Sequence, residues 1–440
     1  MNLRRLQSIR LTWPQLAMVV AASALATGVI IHVLGSAPGL PYATLAALRQ
    51  RVAVHTVPSA ASAVPGASPS SAGASGAPAD VPASSAPISS ADTGSTNAGS
   101  TDTGAQDTSS TGAGSTGTGS SGADGSSTAT THRAGHVFVI ALTAPNFRAA
   151  FGQGSVARYL NGTLRHRGVL LSGYRTLGAS DLPDYLAMVS GQAPNPDTRS
   201  DCTTYAEFAT QAAPLASGQV PGAGCVYPNT VLTIGDQVTA DGKQWRAYLA
   251  GMGASTCVHP NSGAAADDPL AGAGPQYDVV HNPFIYFHSL LDLGGCASDD
   301  MSLQHLAHDL RGAKRTPTYA FIAPGLCADP GAPACPGSQP SGLAAEDAFL
   351  KRWVPAITAS PAYKQDGVLM IVFARAPMAG SGPVRTGALI LSPRARAGST
   401  VATPFTPYSV LRSAEDLLGY TPLVHAKAAR SFAAAAAPGA

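Results

Sequence analysis

The chain has 440 residues, with 27 Lys and Arg against 25 Asp and Glu, a formal net charge of +2, and 45% hydrophobic residues. That is enough apolar material for a sizeable core. With near-neutral charge and no basic stripe, nucleic acid is not an expected partner.

In chain order, residues 1–15 form a basic N-terminus with Arg4, Arg5 and Arg10. Residues 16–35 (LAMVVAASALATGVIIHVLG) carry one His and no formal charge, long enough for one membrane span. The basic residues before it predict the N-terminus inside and everything after it outside. The competing reading is a cleaved secretory signal ending near Gly35-Ser36-Ala37. A signal's apolar core is usually shorter, about 7–15 residues. Residues 36–57 are a juxtamembrane segment in which TLAALRQRVAV has the pattern of a short surface helix. Residues 58–132 are a Ser/Gly/Thr/Ala linker, and from Pro58 to Thr131 there is no Lys, Arg or aromatic residue. Such a stretch buries too little apolar area to offset its conformational entropy, so it is expected to be a disordered tether. It would span roughly 45–50 Å root-mean-square. Residues 133–426 are expected to form one large domain, and 427–440 an Ala-rich tail.

Within that domain, apolar β-rich runs predict strands at His136–Leu142, Val169–Ser172, Trp245–Leu249, Thr318–Ile322, Val368–Phe373 and Gly387–Leu391. Helical patterns fall at Ser155–His166, Pro183–Ser190, Val231–Ala240, Ser302–Leu310, Ala344–Ser360 and Tyr408–Leu418. The alternation predicts an α/β fold, a mostly parallel sheet with helices on both faces. The Gly/Pro/Ala-rich stretch Gly253–Pro275 reads as a loop over the site face. All six cysteines lie in this outer domain, in an oxidising compartment if the topology holds, so disulfides are expected. Chain order favours Cys202–Cys225, Cys257–Cys296 and Cys327–Cys335 among the fifteen pairings.

Several segments, in order, resemble the bacterial phosphoesterase family of secreted acid phosphatases and non-specific phospholipases C. They are HVFVIALTAPNF (His136–Phe147), SDLPDYLAMVSG (Ser180–Gly191), HNPFIYF (His281–Phe287), YAFIAPGLCAD (Tyr319–Asp329), the helix and strand of Ala345–Ala376, and GALILSPRARAG with TPYSVLRSAEDLLGY. The resemblance implies an alkaline-phosphatase-like fold and metal-assisted attack of a hydroxyl on a phosphoester. Carried over position by position, the family's working residues are missing. Its first-strand Glu-Asn falls on Thr143-Ala144, and its His-Pro-Ser on Ala179-Ser180-Asp181. The Asn and His of the later loop fall on Gly325 and Gly331, its Asp-Glu on Ala374-Arg375, and its Asn-His-Tyr-Ser on Thr406-Pro407-Tyr408-Ser409. What survives is Asp329, His281-Asn282-Pro283-Phe284 and Asp347.

The expectation is therefore a tethered domain without metal-dependent catalysis, acting as a binding or surface protein, with no cofactor. Its expected partners are the membrane, through residues 16–35, and an anionic small molecule, a cell-wall component or a protein. His281, Asn282 and Arg375 are the candidate anion-binding groups of the cleft, Arg375 because guanidinium pairs well with phosphate or carboxylate. HNPF reads equally as a buried turn. The alternative is an active hydrolase with a rebuilt site, using Ser180 or Thr143 as nucleophile, with Asp181 beside it. Asp329, Asp184 and Asp181 would then hold a divalent metal ion. Against this, Asp181 and Asp184 have the position of helix-start caps, and Asp329 that of a turn former. Glu346 and Glu415-Asp416 read as solvated helix faces.

Overall fold

The computed structural model describes residues 132–438, apart from 145, 179, 331–339 and 375–381. The expected span 16–35, its flanks, the linker, Arg375 and Cys335 lie outside the described residues. Among the described residues no helix is long and apolar enough to cross a membrane.

Strand His136–Leu142 (β1) has every residue but His136 buried. Its side chains divide by parity, as the two-residue period of a strand requires. Val137, Val139 and Ala141 enter one apolar cluster, and Phe138, Ile140 and Leu142 another. Strand Gly367–Phe373 (β8) divides in the same way, with Val368, Met370 and Val372 against Leu369, Ile371 and Phe373. A strand covered on both faces reads as a continuous apolar run, which is why GVLMIVF stands out.

The other strands are Val169–Leu171 (β2), Ala209–Thr210 (β3), Gly222–Ala223 (β4), Trp245–Leu249 (β5), Asp300–Ser302 (β6), Tyr319–Ala323 (β7), Ala388–Leu391 (β9) and Thr400–Val401 (β10). Eight of them form one sheet in the order β10-β2-β9-β8-β1-β7-β5-β6, and β3 and β4 form a separate pair. β1 pairs parallel with β7 and β8, β5 with β6 and β7, and β10 with β2. β9 runs antiparallel to both its neighbours, β2 and β8. The mixed α/β class and the mostly parallel sheet agree with the sequence.

On one face lie the helices Asp181–Ser190 and Pro407–Leu418, and on the other Leu343–Ala359. All ten residues of Asp181–Ser190 are buried. That helix ends at Gly191, whose φ of 74° is the left-handed conformation glycine adopts without penalty. The Ala-rich end expected as a tail beyond residue 426 is part of this packing, since Phe432, Ala433 and Ala436 are buried in the first cluster.

Other expectations are corrected. The helix expected at Ser155–His166 is a π-helical stretch, Tyr159–Leu164, running into a short α turn at Arg165–Arg167. The Asp347 carboxylate accepts the backbone N–H groups of Tyr159 and Leu160, at 3.2 and 2.9 Å, and so fixes the start of that stretch. The helix expected at Ser302–Leu310 begins one residue into the sheet, because Ser302 pairs with Leu249 as the end of β6. Two of the expected disulfides agree with the sequence, Cys202–Cys225 and Cys257–Cys296, while the third expected pairing involves Cys335, outside the described residues.

Candidate functional site

In a parallel sheet the loops beyond the strands' carboxyl ends are the usual place for a ligand. Thr143 directly follows β1, Asp181 lies beyond β2, His281 lies between β5 and β6, and Asp329 follows β7. Side-chain atoms of Asp181, His281 and Asp329 converge to within 4.8 Å of one another. The three residues are only 3%, 2% and 7% exposed. His281 Nε2 stands 3.8 Å from Asp181 Oδ2 and 3.9 Å from Asp278 Oδ2. Its ring packs on Tyr185, with centroids 5.5 Å apart, and Tyr185 in turn meets Phe321 of β7 edge-on.

Electrostatics follow from that crowding. Burial pulls the His281 imidazole down, but the carboxylates of Asp278, Asp181 and Asp329 outweigh it and push it up to about 9. Glu346 joins the cluster from the Leu343–Ala359 helix. It is fully buried, and its Oε1 accepts from the Thr143 backbone N–H and from the Thr143 hydroxyl, at 2.5 and 3.2 Å. Burial raises the Glu346 carboxyl well above the ordinary range, more than the two Thr143 hydrogen bonds lower it.

The residues singled out in the sequence fall in different places. Asp184 is fully buried, but its Oδ1 accepts from the Leu177 N–H at 2.7 Å, and it is not part of the convergent group. Burial raises its carboxyl well above the ordinary range. Neither Asp181 nor Asp184 is seen capping the helix they begin; Asp201 does so, accepting from the Leu182 N–H at 2.9 Å. The Ser180 hydroxyl donates to the Arg199 carbonyl. Asn282 is fully buried, its amide donating to the Tyr277 hydroxyl at 2.9 Å and to Asp300 Oδ2 at 2.8 Å. HNPF is therefore a buried turn. Arg375 lies outside the described residues.

Glu346 and Glu415 are corrections. Both are fully buried, and Glu415 accepts from the Leu423 N–H at 2.8 Å. Asp416 is partly exposed and pairs with Arg412 at 2.9 Å. The signal was present in the spacing. Leu343, Glu346, Leu350, Trp353 and Ile357 recur at helical intervals, as do Leu411, Glu415 and Leu418. Each glutamate stands on its helix's buried stripe.

Two adjoining grooves open beside the cluster, of about 520 and 300 Å³. The first is lined by Asp267, Asp268 and Asp278 with Leu270, Tyr277 and Leu326, and the second by Asp201, Asp267 and Asp278. Among the described lining residues there is no Lys or Arg. Much of the wall comes from the Gly253–Pro275 stretch. A second convergent group, Cys257, Cys296 and Asp300, cannot hold an ion as it stands, because its sulfurs are joined in the disulfide.

The chain matches no protein-family model and no curated protein. Among solved structures it is similar to an alkaline phosphatase superfamily protein from Vibrio parahaemolyticus, at 11% identity and a TM-score of 0.40, over 67% of this chain and 69% of that one. It is similar to a phosphonate monoester hydrolase from Silicibacter pomeroyi, at 12% identity and a TM-score of 0.39, over 69% and 76%. A third is the lipoteichoic acid synthase of Listeria monocytogenes, at 9% identity and a TM-score of 0.38, over 70% and 77%. Likenesses this distant assign no residue a role.

Proposed function

We propose that this is a membrane-tethered, extracytoplasmic binding domain on an alkaline-phosphatase-like frame, without metal-dependent phosphoester hydrolysis. The observation that carries the reading is the state of the two candidate nucleophiles. Thr143 is 2% exposed and its hydroxyl donates to Glu346, and the Ser180 hydroxyl donates to a backbone carbonyl. A nucleophile needs access to substrate and a base that takes its proton. Burial raises the Glu346 carboxyl well above the ordinary range, which works against its standing ready as the carboxylate that a base must be. The aspartate-lined grooves bear on the ligand class: of the expected partners, an anion fits this face least, since like charges repel.

One observation favours the second reading, an active hydrolase. Thr143 Oγ and Glu346 lie within hydrogen-bond reach, the geometry of a nucleophile and its base. Turnover of p-nitrophenyl phosphate and of bis-p-nitrophenyl phosphate, with and without added divalent metal, decides. The expected rate is that of the buffer. Turnover abolished by Thr143→Ala or Ser180→Ala would replace the binding reading with the catalytic one.

A further inference from the structure

We propose that the segment from Tyr420 to Ala437 is a strap whose hold on the domain tightens with acid, through a hydrogen bond that Glu415 donates to Gln237 when it carries a proton. The device does not depend on what the cleft binds.

The strap leaves the Pro407–Leu418 helix at Gly419 and returns along it. Its far limb is tied by packing. Phe432 meets Phe405 edge-on with centroids 5.4 Å apart, and its N–H donates to Ser413 Oγ at 2.8 Å. Arg412 donates to the Lys427 carbonyl at 3.0 Å. The near limb, Tyr420 to His425, is held by side chains from two helices. The Leu423 N–H donates to Glu415 Oε1 at 2.8 Å, and the Gln237 amide, on the Ile234–Ala240 helix, donates to the Thr421 carbonyl at 2.7 Å. This limb is bent against its preference, since Val424 is β-branched and has a φ of 34°. A turn in that conformation persists only while its surroundings hold it.

The second oxygen of Glu415 supplies the sensitivity. Glu415 is fully buried, and the Gln237 amide adjoins its carboxyl. Yet Glu415 Oε2 and Gln237 Oε1, both shielded from solvent, accept no hydrogen bond. Leaving buried acceptors unmet is costly. One proton settles both: protonated Oε2 donates to Gln237 Oε1, while Oε1 keeps the Leu423 N–H. The neighbours favour that proton. Burial foremost, with Asp416, outweighs the Leu423 N–H, Arg412 and Gln237 and pushes Glu415 up to about 8. Arg412 is itself engaged by Asp416 at 2.9 Å. From β7 the facing group is Tyr319, whose own hydroxyl burial holds neutral. Beyond the turn, Asp241 is taken by Tyr420 and Lys243. On the strap, His425 packs on Tyr408, and Lys427 donates to the Ser217 carbonyl. With the strap open, Glu415 meets water and titrates near its ordinary value, about 4. The closed strap binds the proton more tightly, so its hold is full in acid and is lost as pH rises from about 4 to about 8.

The test is hydrogen–deuterium exchange of the full chain in detergent between about pH 5 and 8, each peptide's rate divided by its intrinsic rate. Opening of the near limb should rise about three- to tenfold per pH unit, and at every pH it should exceed the opening of β1. Glu415→Gln keeps an oxygen for Leu423 and a fixed donor for Gln237, so it should abolish the rise. Asp300→Asn, a buried acid elsewhere, should leave the rise in the near limb unchanged. Circular dichroism identifies a variant that fails to fold. If Glu415→Gln fails, Gln237→Met decides: without the acceptor, the near limb should loosen more at pH 5 than at pH 8. Near-limb opening that is independent of pH in the parent, a rise that persists in folded Glu415→Gln, or a Gln237→Met effect equal at both pH values overturns the strap. Opening of the near limb and β1 to the same extent also overturns it, because the domain then opens as one unit.

Discussion

Glu346 accepts two hydrogen bonds from Thr143, so what its removal costs depends on what replaces it. Glu346→Ala leaves the Thr143 N–H, at the end of the central strand, buried without its acceptor. Such a loss costs about 1–3 kcal/mol. Glu346→Gln keeps an oxygen in place to accept from Thr143, and burial already disfavours the charged carboxylate there, so it should cost less than Glu346→Ala, under about 1 kcal/mol. Urea denaturation of the parent and the two variants checks the order; equal losses would show that the acceptor is not what matters. Residue type alone misled at this position. A glutamate in a charged helix reads as solvated, and only its place on the Leu343–Leu350–Trp353–Ile357 stripe pointed inward. The His281–Asp181–Asp329 convergence was less legible still. Asp329 and the HNPF turn were singled out separately, but no local pattern carries contacts between segments so far apart in the chain.

At the scale of elements, legibility followed burial. β1 and β5 have the ends that their apolar runs predict. β6 and β10 were missed because Asp300–Ser302 and Thr400–Val401 have no alternation to detect; partners recruit them, β5 for the first and β2 for the second. The Asp181–Ser190 helix shows the same dependence on distant chain. Its first turn carries two aspartates, yet the described cap is Asp201, beside the Cys202–Cys225 disulfide. Loss of a helix cap costs about 1 kcal/mol. Asp201→Ala should therefore destabilise the domain by about that much. Ser180→Ala, which removes one donor from a half-exposed position, should stay within about 0.5 kcal/mol. Thermal melts of both variants measure the difference, and a larger loss in Ser180→Ala would reverse the assignment.

For the whole molecule, buried acids set the response to pH. Burial pushes Asp300 up to about 8, despite the Asn282 amide, and Glu415 likewise to about 8. In the unfolded chain both titrate near the ordinary carboxylate value, about 4. Between about pH 4 and 8 the folded state therefore holds more protons than the unfolded one, and stability falls as pH rises through that window. Asp309 works in another range. Arg246, Tyr248 and His308 hold it below its ordinary value against the effect of burial, so its contribution is lost only in stronger acid. The denaturation midpoint should be higher at pH 5 than at pH 8, and Asp300→Asn should flatten the difference. A midpoint that rises toward pH 8 would mean that these acids ionise on folding.

The Cys257–Cys296 disulfide closes the chain between its two cysteines into a covalent ring. Its outward arc supplies Asp267, Asp268 and Leu270 to the groove wall, and its return limb carries Asp278, His281 and Asn282 inward. A surface protease that nicked the arc once would release nothing, because both cut ends stay stapled beside the sheet. The same clamp uncouples the arc's length from the spacing at its base. Insertions or exchanged sequences there would redraw the groove's rim without moving the imidazole. The fold thus places the groove's outer wall and the buried His281 on one loop, closed by a single bond.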